Sequence, residues 1–178
     1  MKLKKKIILP IYFIVIFIIG IFLSVLYKDI EPPDVNDFFS LSFNNLDGEK
    51  ILIEDLRGQK FTIINFWATW CAPCIEEMPM FSQFHDENKE DGIKVIALAV
   101  DNKTQIEKFL QNKNLSQPIL IVGAKGNELA RLLGSEKDAL PYTALIGPKG
   151  KLLKTKMGKI SENEVKLWLF SEFKHHLE

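Results

Sequence analysis

Phe61-Thr62-Ile63-Ile64-Asn65-Phe66-Trp67-Ala68-Thr69-Trp70-Cys71-Ala72-Pro73-Cys74 decides how this chain is read. Its first half is a β-branched and aromatic run, apolar almost throughout, as a central strand buried on both faces should be. Its second half holds the only two cysteines of the 178 residues, in Cys-x-x-Cys spacing. Ile75, Met78, Phe81 and Phe84 follow at helical spacing, so the pair sits where a strand feeds a helix. Unpaired backbone N–H groups and the helix dipole favour an anion at such an N-terminus. A thiolate is such an anion, and it is the nucleophile of disulfide exchange.

Other uses of two cysteines fit less well. A disulfide across so short a loop stabilises little on the loop-entropy account. Zinc takes about four ligands, and His85, His175 and His176 have no ligand spacing to the pair. No metal and no cofactor is therefore expected. Cys71, Cys74, Glu77 and Met78 share one helical face, which puts a carboxylate within a turn of Cys74. On the residues alone Glu77 is a carboxylate near Cys74 or an ordinary solvated glutamate, and Glu76 should face solvent. Pro79 lacks the N–H that would bond the Ile75 carbonyl and predicts a kink. His85, near the helix end, is expected to face solvent. Asn65 stands out in the strand and reads as a partner of neighbouring backbone.

Upstream, a basic start leads into an uncharged, mostly apolar run of 21 residues, Ile7 to Tyr27. That length spans a bilayer as a helix. It exceeds the core of a cleaved signal peptide, and Leu23 to Tyr27 offers no small-residue cleavage pair. Residues 1–28 therefore read as a retained anchor, with the preceding lysines inside and the rest of the chain outside the cytoplasm. Residues 29–37, with Glu31-Pro32-Pro33-Asp34, read as a stiff linker or as a first strand packed on the domain. The globular part, 38–178, opens with Phe39 to Phe43 as a half-buried strand and Lys50 to Ile53 as its hairpin partner. Five of the 23 basic residues lie in the first 28 positions, leaving 18 basic against 23 acidic residues beyond them. A nucleic-acid partner, which wants a basic face, is not expected.

Downstream, Ile93 to Val100 reads as a second buried strand, and Asp101-Asn102 as a cap for a helix from Lys103. Ile119 to Val122 is a short strand, and Asn127 to Leu133 a helix stopped by Gly134. This alternation implies parallel pairing. Leu140-Pro141-Tyr142-Thr143-Ala144-Leu145-Ile146 places a proline directly before a strand. Lys151 to Lys156 suits an edge strand. Ser161-Glu162-Asn163-Glu164 is a capping box opening a last helix, with Val165, Leu167, Trp168 and Phe173 as its buried side.

Trp70-Cys71-Ala72-Pro73-Cys74 after a hydrophobic strand resembles thioredoxin. The hairpin, the Leu56 to Lys60 stretch and the extra elements between Asn102 and Gly134 resemble its membrane-anchored TlpA-like and ResA-like branch, over roughly residues 38 to 170. The resemblance implies an α/β thioredoxin-like sandwich: a central mixed β-sheet flanked by helices, with an N-terminal β-hairpin and a central insertion, behind one transmembrane helix. It implies a redox disulfide between Cys71 and Cys74 and a proton-transfer role for Glu77. It implies a turn shaped by Trp70 and Pro73. It also implies a cis Pro141, with the Leu140 backbone offered to a substrate strand. Asn65 departs from thioredoxin's buried aspartate, and Tyr142 from the usual small residue.

By the same resemblance the protein is a reductant of protein disulfides, recharged by a membrane thiol donor. Its partners would include apocytochrome c or copper-assembly proteins. It would sit single-pass in a bacterial cytoplasmic membrane, facing the periplasm. A disulfide-forming oxidase, a thiol peroxidase of the peroxiredoxin type and a haem- or copper-binding module are the alternatives. No Pro-x-x-x-Thr/Ser-x-x-Cys segment leads to Cys71, and no Met or His cluster accompanies the thiols.

Overall fold

All seven residues of β3 (Phe61–Trp67) are buried, so the strand needs cover on both faces. A computed structural model, which describes residues 14–19 and 33–175, shows how that cover is supplied. β4 (Ile93–Ala99) pairs with β3 in parallel from Phe61↔Ile93 to Trp67↔Ala99. β6 (Tyr142–Ile146) pairs antiparallel on its other side, Phe66 opposite Tyr142. β5 (Ile119–Ile121) extends the parallel side. The hairpin β1 (Ser42–Asn44) and β2 (Lys50–Leu52) closes one edge, and β7 (Leu152–Met157) forms the other. One mixed sheet results, ordered β2-β1-β5-β4-β3-β6-β7.

Alternate residues of a strand point to opposite faces, and the core divides accordingly. Ile63 and Val95 pack with Phe81, Phe84, Val165 and Leu169, from α2 (Ala72–Asn88) and α5 (Glu162–His175). Ile64, Phe66, Ile96 and Leu98 pack with Phe38 and Phe39 of α1 (Asn36–Phe39) and with Leu129 and Ala130 of α4 (Gly126–Leu132). Trp67, Cys71, Cys74 and Met78 join Ile106 of α3 (Lys103–Leu110) at the C-terminal end of β3. Helices thus flank both faces, and the redox turn ends the best-covered strand.

Several expectations need correction. Of the two readings of residues 29–37, residues 33–37 follow the second and pack on the domain, whose compact unit runs from Pro33. Val35 is buried, its N–H bonds Gly150 O at 2.8 Å, and Pro33 O accepts from Leu152 N at 3.0 Å. Residues 29–32 lie outside the described residues. Phe39 belongs to the short helix α1 rather than to a strand. Consecutive Phe38 and Phe39 are both buried, which one face of a strand does not allow. His85 is buried, its Nδ1 accepting the Val95 N–H at 3.1 Å. On α5, Leu167 is exposed and Leu169 takes its place, because Val165 and Leu169 are one turn apart and Leu167 falls opposite. Of the expected anchor helix, 7–27, residues 14–19 are helical and the rest lies outside the described residues. Among the described residues no helix is long and apolar enough to cross a membrane.

Candidate active site

β3 ends at Trp67, and Cys71 caps the N-terminus of α2, with Pro73 in its first turn where a missing N–H costs nothing. That turn carries no acidic residue, so no carboxylate of the helix competes for its partial positive charge. Cys71 and Cys74 are joined as a disulfide. Cys71 keeps 5% of its surface exposed and Cys74 none. Trp70, beside Cys71, is 69% exposed. The loop before it is held from β4: Asp101 Oδ2 accepts from Thr69 N at 3.3 Å and from the Thr69 hydroxyl. Asp101 Oδ1 accepts from Asn102 N at 2.8 Å.

Glu77 lies one turn beyond Cys74 and is buried, whereas Glu76 is exposed and pairs with Lys159 at 2.6 Å. Glu77 Oε1 accepts from Asn65 Nδ2 at 2.9 Å, and Oε2 from Ile160 N at 3.0 Å. Asn65 Nδ2 also donates to Thr143 Oγ1 at 3.1 Å. Burial pushes the Glu77 carboxyl above its usual range, while the Ile160 and Asn65 donors and Lys159 and Lys156 pull the other way. A buried carboxyl whose proton is held more tightly than usual is a candidate for proton transfer.

The Leu140–Pro141 peptide is cis. Pro141 O accepts from Gly158 N at 2.8 Å, while among the described residues neither the N–H nor the C=O of Leu140 has a backbone partner. Cys71, Cys74 and Glu77 stand together on α2, Pro141 enters β6 beside β3, and Trp70 and Pro73 are on the surface of the turn. Asn65, Thr143 and the Thr69–Asp101 latch escape a reading by motif. The usable signal was Asn65 itself: a polar side chain in a doubly buried strand needs a polar partner. Among the described residues no three His, Cys, Asp or Glu side chains converge to hold a metal.

A dithiol that opens and closes at the mouth of a helix exchanges two electrons with other thiols. Set on this mixed sheet, it makes the protein a thioredoxin-like thiol-disulfide oxidoreductase. Residues 35–155 match the model of the AhpC/TSA family, and the chain belongs to that family. Sporulation thiol-disulfide oxidoreductase A of Bacillus subtilis (strain 168) is 30% identical over 167 residues, covering 92% of this chain and 96% of its own. Thiol-disulfide oxidoreductase ResA of Bacillus thuringiensis subsp. konkukian is 32% identical over 126 residues, 70% of each chain. Among solved structures, StoA from Bacillus subtilis superposes with a TM-score of 0.58 at 28% identity, covering 72% of this chain and 95% of its own. A thioredoxin-related protein from Neisseria meningitidis serogroup B gives 0.66 at 27% identity, over 74% and 98%.

Proposed function

We propose that the protein is a membrane-tethered, extracytoplasmic reductant of protein disulfides. The asymmetry of the pair carries the reading: Cys71 has an open side beside exposed Trp70, and Cys74 has none. The reduced Cys71 thiolate attacks a substrate disulfide, forms a mixed disulfide and expels one substrate thiolate. Cys74 then attacks Cys71 Sγ, the second substrate thiolate leaves, and the Cys71–Cys74 disulfide closes. Two electrons have passed to the substrate, and a membrane thiol donor returns them. Glu77, one turn from Cys74, accepts its proton in the second step. Trp70, Pro73, Leu140 and Pro141 form the docking strip, on which a substrate strand bonds the Leu140 backbone. The uncharged, mostly apolar run Ile7 to Tyr27 behind its lysines supports tethering in a bacterial cytoplasmic membrane with the domain in the periplasm. Apocytochrome c and copper-assembly proteins are substrates of the right kind.

Membranes from cells making Cys74→Ser protein test this. Mixed disulfides on Cys71 that thiols release are expected, and none should form with Cys71→Ser. Absence of trapping would remove Cys71 as nucleophile. A reduction potential near about −270 mV or lower supports a reductase, whereas one near about −120 mV reverses the electron flow to a disulfide-forming oxidase.

A further inference from the structure

We infer that the indole N–H of Trp67 is the hydrogen-bond donor for the Cys74 thiolate, unused while the disulfide is closed and engaged when that sulfur ionises to resolve a mixed disulfide. This rests on the two-step exchange proposed above and gives its second step a group that holds the charge.

Trp67 is fully buried, and among the described residues its Nε1 has no hydrogen-bond partner. A buried indole N–H ordinarily finds one. The register of the fold shows what this one faces. Asn65 of β3 reaches α2 and donates to Glu77 at 2.9 Å. Trp67 lies two residues further along β3 on the same face, about 6.6 Å nearer the redox turn. Cys74 precedes Glu77 by three residues, about 4.5 Å nearer the start of α2. Residues 68–71 join strand and helix at that end, so both steps lead the same way and Trp67 comes level with Cys74. The packing agrees: Trp67, Cys71, Cys74 and Met78 share one buried cluster with Ile106 and Phe109 of α3. The Phe109 ring lies 5.6 Å from that of Trp67.

Sulfur supplies the side-chain acceptors of that cluster, in Cys71, Cys74 and Met78. Neutral sulfur accepts weakly, whereas a bond to an ionised acceptor is roughly twice as strong as a neutral one. Gln117 Oε1, also buried without a partner, is out of reach. Trp67 is level with Ala99 and Ile121, two strands away, and Gln117 lies four residues before Ile121, about 13 Å back along the sheet. Cys74 has need of a donor, because it has no exposed surface and burial disfavours a thiolate. Its titratable neighbours on α2 are Cys71, Glu77 and solvent-facing Glu76. Lys156 and Lys159 act on Glu77 from β7 and the residues after it. Asp101, after β4, is occupied with Thr69, and α3 brings only apolar side chains to the cluster. In the step itself the Cys74 thiol gives its proton to Glu77, its sulfur bonds Cys71 Sγ, and the substrate thiolate leaves. Trp67 keeps its proton throughout.

The test uses the full-length chain in detergent micelles, isotope-labelled at the tryptophan indole nitrogen and the cysteine Cβ for magnetic resonance. In the reduced protein the Trp67 N–H resonance is expected to move downfield as Cys74 ionises, with the midpoint that the Cys74 Cβ reports. That of Trp168, on α5, should stay in place. Benzothienylalanine installed at 67 by codon suppression keeps the shape of the ring and puts sulfur where the N–H was. It should raise the Cys74 midpoint by about one to two pH units. A Trp67 resonance that ignores the Cys74 ionisation, or a midpoint that the isostere leaves unmoved, would overturn the assignment. The first of these needs no variant, so it decides even where the isostere does not fold. A Cys74 that stays a thiol throughout the folded pH range would overturn the assignment as well. Exchange is read separately: the reduced chain should release two thiolates from dithiobis(nitrobenzoate), and Cys74→Ser one. Release of two with an unmoved midpoint removes the Trp67 donor and leaves the two-step exchange standing. Release of one from the unaltered chain removes the exchange and the donor with it.

Discussion

Replacing Asn65 by Asp puts a second carboxylate against Glu77 in the middle of the core. The Asn65 amide donates to Glu77 Oε1 at 2.9 Å, and Asp is its near-isostere, so the charge centres end about 4 Å apart. At an effective dielectric of about 20, two such charges repel by about 4 kcal/mol. That corresponds to about three pH units on the second ionisation, superimposed on a Glu77 already raised by burial. The pair should therefore hold one proton to near or above neutrality and titrate as a unit. In the unfolded chain both carboxyls ionise near pH 4. The folded pKa is raised, so the pair is at its most favourable below the unfolded values. Stability is then lost as pH rises through the folded value, by about 1.4 kcal/mol per pH unit. Urea unfolding of the oxidised domain from residue 33, followed by tryptophan fluorescence, reads this directly. The difference between wild type and Asn65→Asp should be small at about pH 4 and reach several kcal/mol by about pH 8. A difference that stays constant with pH would mean that the two side chains do not share the contact described.

His85 gives the opposite pH trend. Burial, reinforced by Lys89, holds its imidazole below the ordinary 6.5, and protonating Nδ1 would abolish the Val95 bond. Its contribution is complete above pH 6.5 and lost as pH falls through the depressed folded value, so thermal midpoints should drop below about pH 6 and His85→Leu should flatten that drop. Asp101→Ala removes the acceptor that holds Thr69, and should cost about 1–3 kcal/mol and slow attack of Cys71 on a small disulfide; an unchanged rate would show that the latch does not position the turn. Gly126→Ala should destabilise by about 1–3 kcal/mol despite better helix propensity, because its Cβ would meet Val100 Cγ2 at 2.4 Å. Val100→Ala in the same chain should restore the loss, as denaturation midpoints will report.

The sheet and the redox turn were legible because their signals are local. Phe61 to Trp67 reads as a doubly covered strand from composition alone, and a Cys-x-x-Cys before helical spacing has few other uses. The Ser161–Glu164 box formed as the spacing implies, Ser161 N donating to Glu164 Oε2 at 2.9 Å. What escaped depends on the distant chain. The Asn65 partner Thr143 lies 78 residues away, and the Glu77 partner Ile160 lies 83 away. His85 looked solvent-bound because its helix position could not reveal the free Val95 N–H waiting for it. The 33–37 strip could be read as linker or as packed strand, because Pro32-Pro33 suits a stiff linker and only the fold shows that Val35 is core.

That strip also decides where another chain can add itself. An open sheet edge is a template for any extended segment. Here Pro33 and Val35 occupy the Gly150–Leu152 end of β7 from within the molecule. Further along, Lys154 and Lys156 are drawn back to Glu172 and Glu164 of α5. The opposite edge, β2, is three residues long. Both borders are thus poor templates for indiscriminate strand pairing, and the unpaired Leu140 peptide beside Cys71 stands apart from them. On the function proposed above, a substrate with extended backbone would find a short foothold next to Cys71 and little to polymerise on elsewhere.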